Sequence, residues 1–264
     1  MENFNSIIDA VKEAGKRALK LQREVVREYK NDGSVLTEAD LEINKTLTDS
    51  IKSSFPEANI IAEEQETPFS AGEEWTFTID PIDGTDSYSQ GMPGWCVAVG
   101  IHDRELQPVG GIVSAPRWGS DPEHGLFLYH LPEGENGITG IDIEPGSLYP
   151  HASSLVVGSK VHRRYDYGSY PGKIRSVGSS ILHALSPLIH PDTAAAFLSP
   201  AFIWDISPAH GIVRSRGIEV IYPDGEELTY RTMVHRKRSD HYILIAQAGK
   251  ADRILQHFLR REIP

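Results

Sequence analysis

Only one cysteine, Cys96, occurs in 264 residues. An internal disulfide is therefore excluded, and so is a metal site built from thiolates. No run of about eighteen apolar residues is present, so no membrane-spanning helix and no membrane partner are expected. The opening residues, Met1-Glu-Asn-Phe-Asn, lack a basic region followed by an apolar stretch, and no secretory leader is expected. With so little cysteine, a reducing, cytoplasmic setting is the expectation. Positive charge is also scarce. There are 26 Lys and Arg against 37 Asp and Glu, a formal net charge of −11, which argues against nucleic-acid polymers as partners. The deficit is uneven: residues 1–159 hold 11 Lys and Arg against 27 acids, while residues 160–264 hold 15 against 10. Between Lys52 and Arg104 there is no Lys or Arg at all, yet ten acids. Clustering those acids in a fold requires counter-charge. A bound cation is one answer, and a solvated acidic surface is the other.

What is present is 39% hydrophobic and 24% charged, ordinary for a globular chain with a real core. Apolar residues at Phe4, Ile7, Ile8, Val11, Ala14, Ala18, Leu21, Val25 and Tyr29 predict one long amphipathic helix over 3–29. Asn31-Asp-Gly-Ser34 breaks it, and Thr37 caps a second helix reaching about Ser54. Strands are expected at 59–62, 75–79, 96–102 and 109–115. Residues 119–152 read as loops around one strand, 126–129. The rest alternates: strands at 155–157, 173–177, 194–198, 219–222 and 242–246, with helices at 179–189, 204–216 and 250–261. That is an α/β pattern. Two halves are expected, 1–150 and 151–264.

The segment Thr78-Ile-Asp80-Pro-Ile-Asp83-Gly84-Thr85 is the most informative. A strand delivers Asp80, Pro81 ends the ladder for want of a donor, and Asp83 follows in the turn. Both carboxylates then converge. Gly84 permits tight backbone geometry, and the N–H groups of Gly84 and Thr85 offer an anion cradle. Hard oxygen ligands beside such a cradle suit Mg²⁺ bridging to phosphate. The plainer alternative is an Asx turn closing a strand. Glu63 ends an apolar strand at the same edge, where a solvated loop acid is the usual case. Asp205 sits at a helix start, where an N-cap is the usual case. Asp40 lies three residues after Thr37, as a capping box would place it.

Together these segments resemble the inositol monophosphatase superfamily of lithium-sensitive phosphatases, which includes fructose-1,6-bisphosphatases and 3′(2′),5′-bisphosphate nucleotidases. The carrying residues are Asp32-Gly-Ser-Val-Leu-Thr-Glu-Ala-Asp40, Ala62-Glu-Glu64, Asp80-Pro-Ile-Asp-Gly-Thr85, Ile174-Arg-Ser-Val-Gly-Ser179 and Trp204-Asp205. The resemblance implies a layered α/β/α/β/α sandwich. It implies hydrolysis of a small phosphomonoester, with two or three Mg²⁺ ions, Mn²⁺ as a substitute and Li⁺ as an inhibitor. By the same resemblance Glu63, Asp80, the Ile82 carbonyl, Asp83 and Asp205 hold metal. Thr85 orients the attacking water, and Asp40 and Glu63 assist. Asp83, Gly84, Thr85, Gly178 and Ser179 contact substrate. A homodimer is expected.

There are departures. Ala62 stands where the family commonly has Gly. Asp86 adds charge beside the anion cradle. Leu198 stands where inositol monophosphatases carry an acid that meets the sugar alcohol. Residues 130–152 do not follow the family. A bisphosphate nucleotidase or sugar bisphosphatase is the alternative substrate class. A non-catalytic binder of metal or phosphorylated ligands, and a purely structural acidic domain, are the alternatives from other classes. Cys96 reads as a small buried hydrophobe, His210 as structural, and His235-Arg-Lys-Arg238 as a solvated loop or a contact for a second anionic group. The eleven histidines form no metal-ligand spacing.

Overall fold

The computed structural model describes residues 2–31, 33–121, 123–141, 152–226 and 228–260. Helix α1 (Glu2–Leu21) buries Phe4, Ile7, Val11, Ala14 and Ala18 along one face. It is shorter than the apolar series predicts. A 3-10 turn follows at Gln22–Glu24, and β1 (Glu28–Tyr29) pairs antiparallel with β2 (Val35–Leu36). The physical reason is lack of cover: Val26 and Tyr29 are 69% and 67% exposed. Gln22 meanwhile turns inward and donates to the carbonyls of Tyr88 and Met92. Helix α2 (Glu38–Ser54) starts after Thr37 and buries Ala39, Ile43, Leu47 and Ile51.

Six strands form the first sheet in sequence order: β3 (Asn59–Ala62), β4 (Thr76–Asp83), β5 (Cys96–His102), β6 (Pro108–Ala115), β7 (Leu126–His130) and β8 (Asn136–Thr139). Only β3 and β4 are parallel. A short helix, α3 (Thr85–Ser89), follows β4. Strand β8 falls where only loop was expected, because an edge strand of Asn, Gly and Thr has no apolar alternation to read. The remainder of that stretch, 142–151, lies outside the described residues, as does the expected boundary near 150.

The second half begins with β9 (Ser154–Val157), β10 (Tyr165–Asp166) and β11 (Ile174–Arg175), then α4 (Ser180–Ile189). It continues through β12 (Thr193–Leu198), α5 (Ile203–Arg214), β13 (Ile218–Ile221) and β14 (Ile243–Gln247) to α6 (Ala251–Leu255) and β15 (Leu259–Arg260). Five of these strands form a mixed sheet in the order β11-β9-β12-β14-β13, and β10 pairs with β15. The strand expected at 173–177 shrinks to two exposed residues. The closing helix expected over 250–261 ends at Leu255, since Leu259 leaves the core to pair with Asp166.

Three apolar clusters separate five layers. One packs α1 and α2 on the first sheet. A second lies between that sheet, α4, α5 and the second sheet. A third joins the far face of the second sheet to α6. Alternation decides the sides: Val97, Val99 and Ile101 face α1 and α2, while Cys96 and Ala98 face the middle layer. The α/β/α/β/α sandwich is thus the observed fold.

Contact between α5 and the first sheet is unusually close. A Cβ on Gly111 would stand 2.0 Å from the Pro208 carbonyl oxygen, and one on Gly211 would stand 2.2 Å from that of Gly110. Backbone cannot retreat as a flexible side chain can, so both positions require glycine. Gly111→Ala should therefore lower stability by about 1–3 kcal/mol. Gly158→Ala, whose Cβ would meet nothing nearer than 3.6 Å, is the control. Urea titration of both variants checks this, and equal midpoints would show the contact to be slack.

Candidate active site

In a regular strand, residues three apart face opposite sides of the sheet. Asp80 and Asp83 do not, because β4 carries a bulge between them. Asp80 pairs with Ala98 and Asp83 with Cys96, so three steps on β4 match two on β5. The strand continues through Pro81 instead of ending there, and a bulge is where a strand tolerates proline. Phe77 and Ile79 face α1 and α2, and beyond the bulge Ile82 does so as well. Asp80 and Asp83 are thereby both turned toward the middle layer.

Asp205 enters from the first turn of α5, which the glycine contact presses on the same sheet. Carboxylate oxygens of Asp80, Asp83 and Asp205 lie within 4.8 Å of one another. Asp80 and Asp83 are buried. One oxygen of Asp83 accepts from the Ile181 N–H at 2.6 Å and from the Ser179 hydroxyl, and the other accepts from the Ser180 N–H at 3.1 Å. Asp205 accepts from the Phe202 N–H at 2.7 Å. Asp80 has no such help: its buried Oδ1 has no hydrogen-bond partner.

Asp40 splits its two oxygens. Oδ2 closes the cap of α2, accepting from the Thr37 N–H at 2.8 Å and the Thr37 hydroxyl at 2.6 Å. Oδ1 faces the Thr85 hydroxyl at 3.3 Å, and that hydroxyl also lies 3.0 Å from the Ile82 carbonyl. The capping box expected of Asp40 is present on one oxygen, and the other faces Thr85. Gly84, at φ +91°, turns the chain from β4 into α3, and a Cβ there would stand 2.7 Å from the Gly94 carbonyl oxygen.

Glu63 stands outside the trio. Lys30 holds it at 3.0 Å and also pairs with Glu64. Sequence reasoning missed Lys30, although the cation-free stretch from 53 to 103 signals that counter-charge must come from elsewhere in the chain. It also missed Arg236, which donates to the carbonyls of Ala62 and Glu63 at 2.7 and 2.8 Å and lies 4.7 Å over the Trp204 ring. In the stretch 235–238, His235, Lys237 and Arg238 are exposed, as expected of a solvated loop, but Arg236 is half-buried and tied to backbone, and Arg238 lies 4.3 Å over Phe202.

These groups open on a cavity of about 520 Å³ lined by Lys30, Glu63, Ser180, Asp205, Arg236 and Arg238 among others. A larger cavity of about 830 Å³, beside Phe4 and Trp75, touches none of the carboxylates. Ser179 is buried, its hydroxyl engaged by Asp83 and the Leu182 N–H, and Gly178 is exposed beside it. Asp86 is exposed and accepts from Gln90. Leu198 lies buried in β12 and does not line the cavity; Phe202 and Trp204 form that wall instead. Cys96 is buried as expected, with Sγ 4.0 Å from Asp83 Oδ2. His210 pairs with the Tyr230 hydroxyl at 2.9 Å and is pushed down to about 3 by burial, a structural role.

Burial and crowding raise five carboxyls here: Asp40, Glu63, Asp80, Asp83 and Asp205. Burial, then the charge of Asp83, lifts Asp205 to about 7. Burial lifts Glu63 to about 7 despite Lys30, and Asp40 to about 6. Asp83 reaches about 6, its three donors opposing the burial. Asp80 is pushed well up by burial and by its neighbours Glu63 and Asp83.

A strand bulge and a helix start thus bring three acids, close enough together to hold a metal ion, to one point inside a five-layer α/β sandwich. The chain belongs to the inositol monophosphatase family, whose family model matches residues 2–247. A 3′(2′),5′-bisphosphate nucleotidase CysQ of Aggregatibacter actinomycetemcomitans is 31% identical over 51% of this chain and 56% of its own. The chain spans about half or less of the length of the curated relatives it matches first. The IMPase of Thermotoga maritima shares the fold with a TM-score of 0.78 at 20% identity, over 97% of this chain and 96% of its own. An IMPase/NADP phosphatase solved with Mg²⁺ and phosphate superposes with a TM-score of 0.74 at 16% identity, over 93% and 90%. No helix among the described residues is long and apolar enough to cross a membrane.

The raised carboxyls give a signed expectation. A native state that binds protons more tightly than the unfolded chain loses stability as pH rises from the unfolded value, near 4, through the native values near 6 and 7. In a chelating buffer, the melting temperature should therefore fall between pH 5 and pH 8. A profile that rises over that window would show that the carboxyls do not crowd one another as described.

Proposed function

We propose that this protein hydrolyses a small phosphomonoester with Mg²⁺, and that a water molecule, not a side chain, attacks phosphorus. The observation that carries the reading is Asp80: a buried carboxylate oxygen without a donor, inside a trio of acids within 4.8 Å. A hard divalent cation satisfies all three acids at once, and hard oxygen donors are what Mg²⁺ takes. Asp80, Asp83, Asp205 and the Ile82 carbonyl would hold it, with Glu63 joining from its pairing with Lys30. When bound, Mg²⁺ supplies the positive charge that acidifies water and stabilises the transferring phosphoryl group. Mn²⁺ as a substitute and Li⁺ as an inhibitor belong to the same reading.

The chain's own groups do the rest. The Thr85 hydroxyl faces Asp40 Oδ1 at 3.3 Å on one side and the Ile82 carbonyl, next to Asp83, at 3.0 Å. It passes its proton to Asp40 and takes one from the attacking water. Burial places Asp40 at about 6, near enough to neutrality to serve as that acceptor. Backbone N–H groups of Gly84 and Thr85, with Gly178 and Ser179 alongside, orient the phosphate. The fold of Asp83 against the start of α4 keeps its carboxylate fixed while substrate enters.

Two outcomes are expected. Mg²⁺ at a hundredfold excess over its Kd should add roughly 2.7 kcal/mol, or about 5–10 °C in melting temperature. Asp80→Asn should lose most of that gain yet match or exceed the wild type's stability in chelator, because Asn is neutral without the proton that burial and its neighbours force on Asp80. An equal Mg²⁺ shift in both proteins would place the ion elsewhere. Second, wild type should release phosphate from phosphomonoesters only with Mg²⁺, and Thr85→Ala should lower kcat by about 10²–10⁴ with little change in KM. A defect confined to KM would remove Thr85 from the water's side of the reaction.

A further inference from the structure

Three cations line the cavity: Lys30, Arg236 and Arg238. Two are committed to the protein. Lys30 pairs with Glu63 and Glu64. Arg236 donates to the carbonyls of Ala62, Glu63 and Gln65, and its Nε lies 3.6 Å from Glu66. Arg238 differs. Among the described residues it has no carboxylate partner, and its one hydrogen bond, at 2.9 Å, runs from Nη1 to the Pro200 carbonyl. Arg238 is exposed and lines the cavity.

Arg238 is nevertheless held in place. Its guanidinium lies 4.3 Å over Phe202, and Phe202 stacks on Trp204 at 4.8 Å and 18°. The next residue, Ser239, is buried and fastened to Ala201: its N–H donates to the Ala201 carbonyl at 2.8 Å, and its hydroxyl accepts from the Ala201 N–H at 3.2 Å. The Phe202 N–H in turn donates to Asp205, a member of the trio. Hydrogen bonds from Ser239 to Ala201 and from Phe202 to Asp205 thus tie the backbone beside Arg238 to the carboxylate centre, and the guanidinium's charge is felt at Asp205. Preorganisation of this kind lowers the cost of binding an anion.

Resting on the phosphatase reading above, we propose that Arg238 is a specificity-determining residue. It would receive a second anionic group, a phosphate or a carboxylate, on a substrate whose ester phosphate sits at the trio. Guanidinium suits such a group because it can donate two parallel bonds to it. The rings of this wall already have partners: Phe202 stacks on Trp204, Arg238 lies over Phe202 and Arg236 over Trp204. Recognition is by charge, and sugar and nucleotide substrates gain alike.

The test compares matched substrates that differ by one anionic group. Fructose 1,6-bisphosphate is set against fructose 1-phosphate, and adenosine 3′,5′-bisphosphate against adenosine 3′-monophosphate. In wild type, kcat/KM should favour the doubly anionic member of each pair. In Arg238→Ala that ratio should fall about tenfold or more, with the change in KM, since the contact is remote from the reacting atoms and is the same in ground and transition states. Arg238→Lys should fall between the two, keeping charge but losing the fork. A gain for the nucleotide pair alone would overturn recognition by charge, and an unchanged ratio in Arg238→Ala would overturn the subsite. Calorimetric Kd values for the same four compounds, with Ca²⁺ replacing Mg²⁺, read the subsite without turnover. Absence of hydrolysis with every compound would then fail the phosphatase reading, while a tenfold weaker Kd in the variant for the doubly anionic ligands would still support Arg238.

Discussion

Three carboxylates held within 4.8 Å of one another in a buried space repel strongly, and much of the surrounding structure is arranged to tolerate that repulsion. The acids are supported unequally. Asp83 takes three donors from the start of α4, where N–H groups and the helix dipole both favour negative charge. Asp205 takes the Phe202 N–H. Glu63 takes an ammonium, the only one of the four to do so directly. Asp80 takes nothing from the protein at its buried Oδ1, which leaves it the acid most dependent on a cation.

Two of the acids tie a helix start to the site through one side chain. Asp40 and Asp205 each lie three residues into a helix, and each reaches back with one oxygen to an N–H that the helix leaves unpaired. The other oxygen is free to face the site. A helix start thus both requires an aspartate and aims it. The close seat of α5 against Gly110 and Gly111 then decides how near Asp205 comes to Asp80.

Much of this was legible in the chain because it follows from local rules. Strands 59–62 and 96–102 appear where predicted, since their apolar runs are bounded by turn residues, and α2 begins after Thr37 for the capping reason given. What failed depended on tertiary cover. Periodicity carried α1 on to Tyr29, but no partner covers Val26 or Tyr29. The roles of Lys30 and Arg236 were not legible, because each acts on residues more than thirty positions away, and no spacing rule links an arginine in a loop to the carbonyls beside Glu63. Leu198 misled for a related reason: its position along the chain suggested a pocket wall, whereas the wall comes from residues 202–238.

The bulge in β4 makes the site depend on a count of residues as well as on their kinds. Three regular steps from Asp80 would carry Asp83 through the sheet toward α1 and α2, among Phe77 and Ile79, and the one residue that the bulge absorbs returns it to the face of Asp80. An odd separation puts two side chains on one face only where the ladder slips by a residue. The motif and the irregularity are therefore one feature: smoothing the ladder at this place, with every letter of the sequence kept, would separate the acids across the sheet.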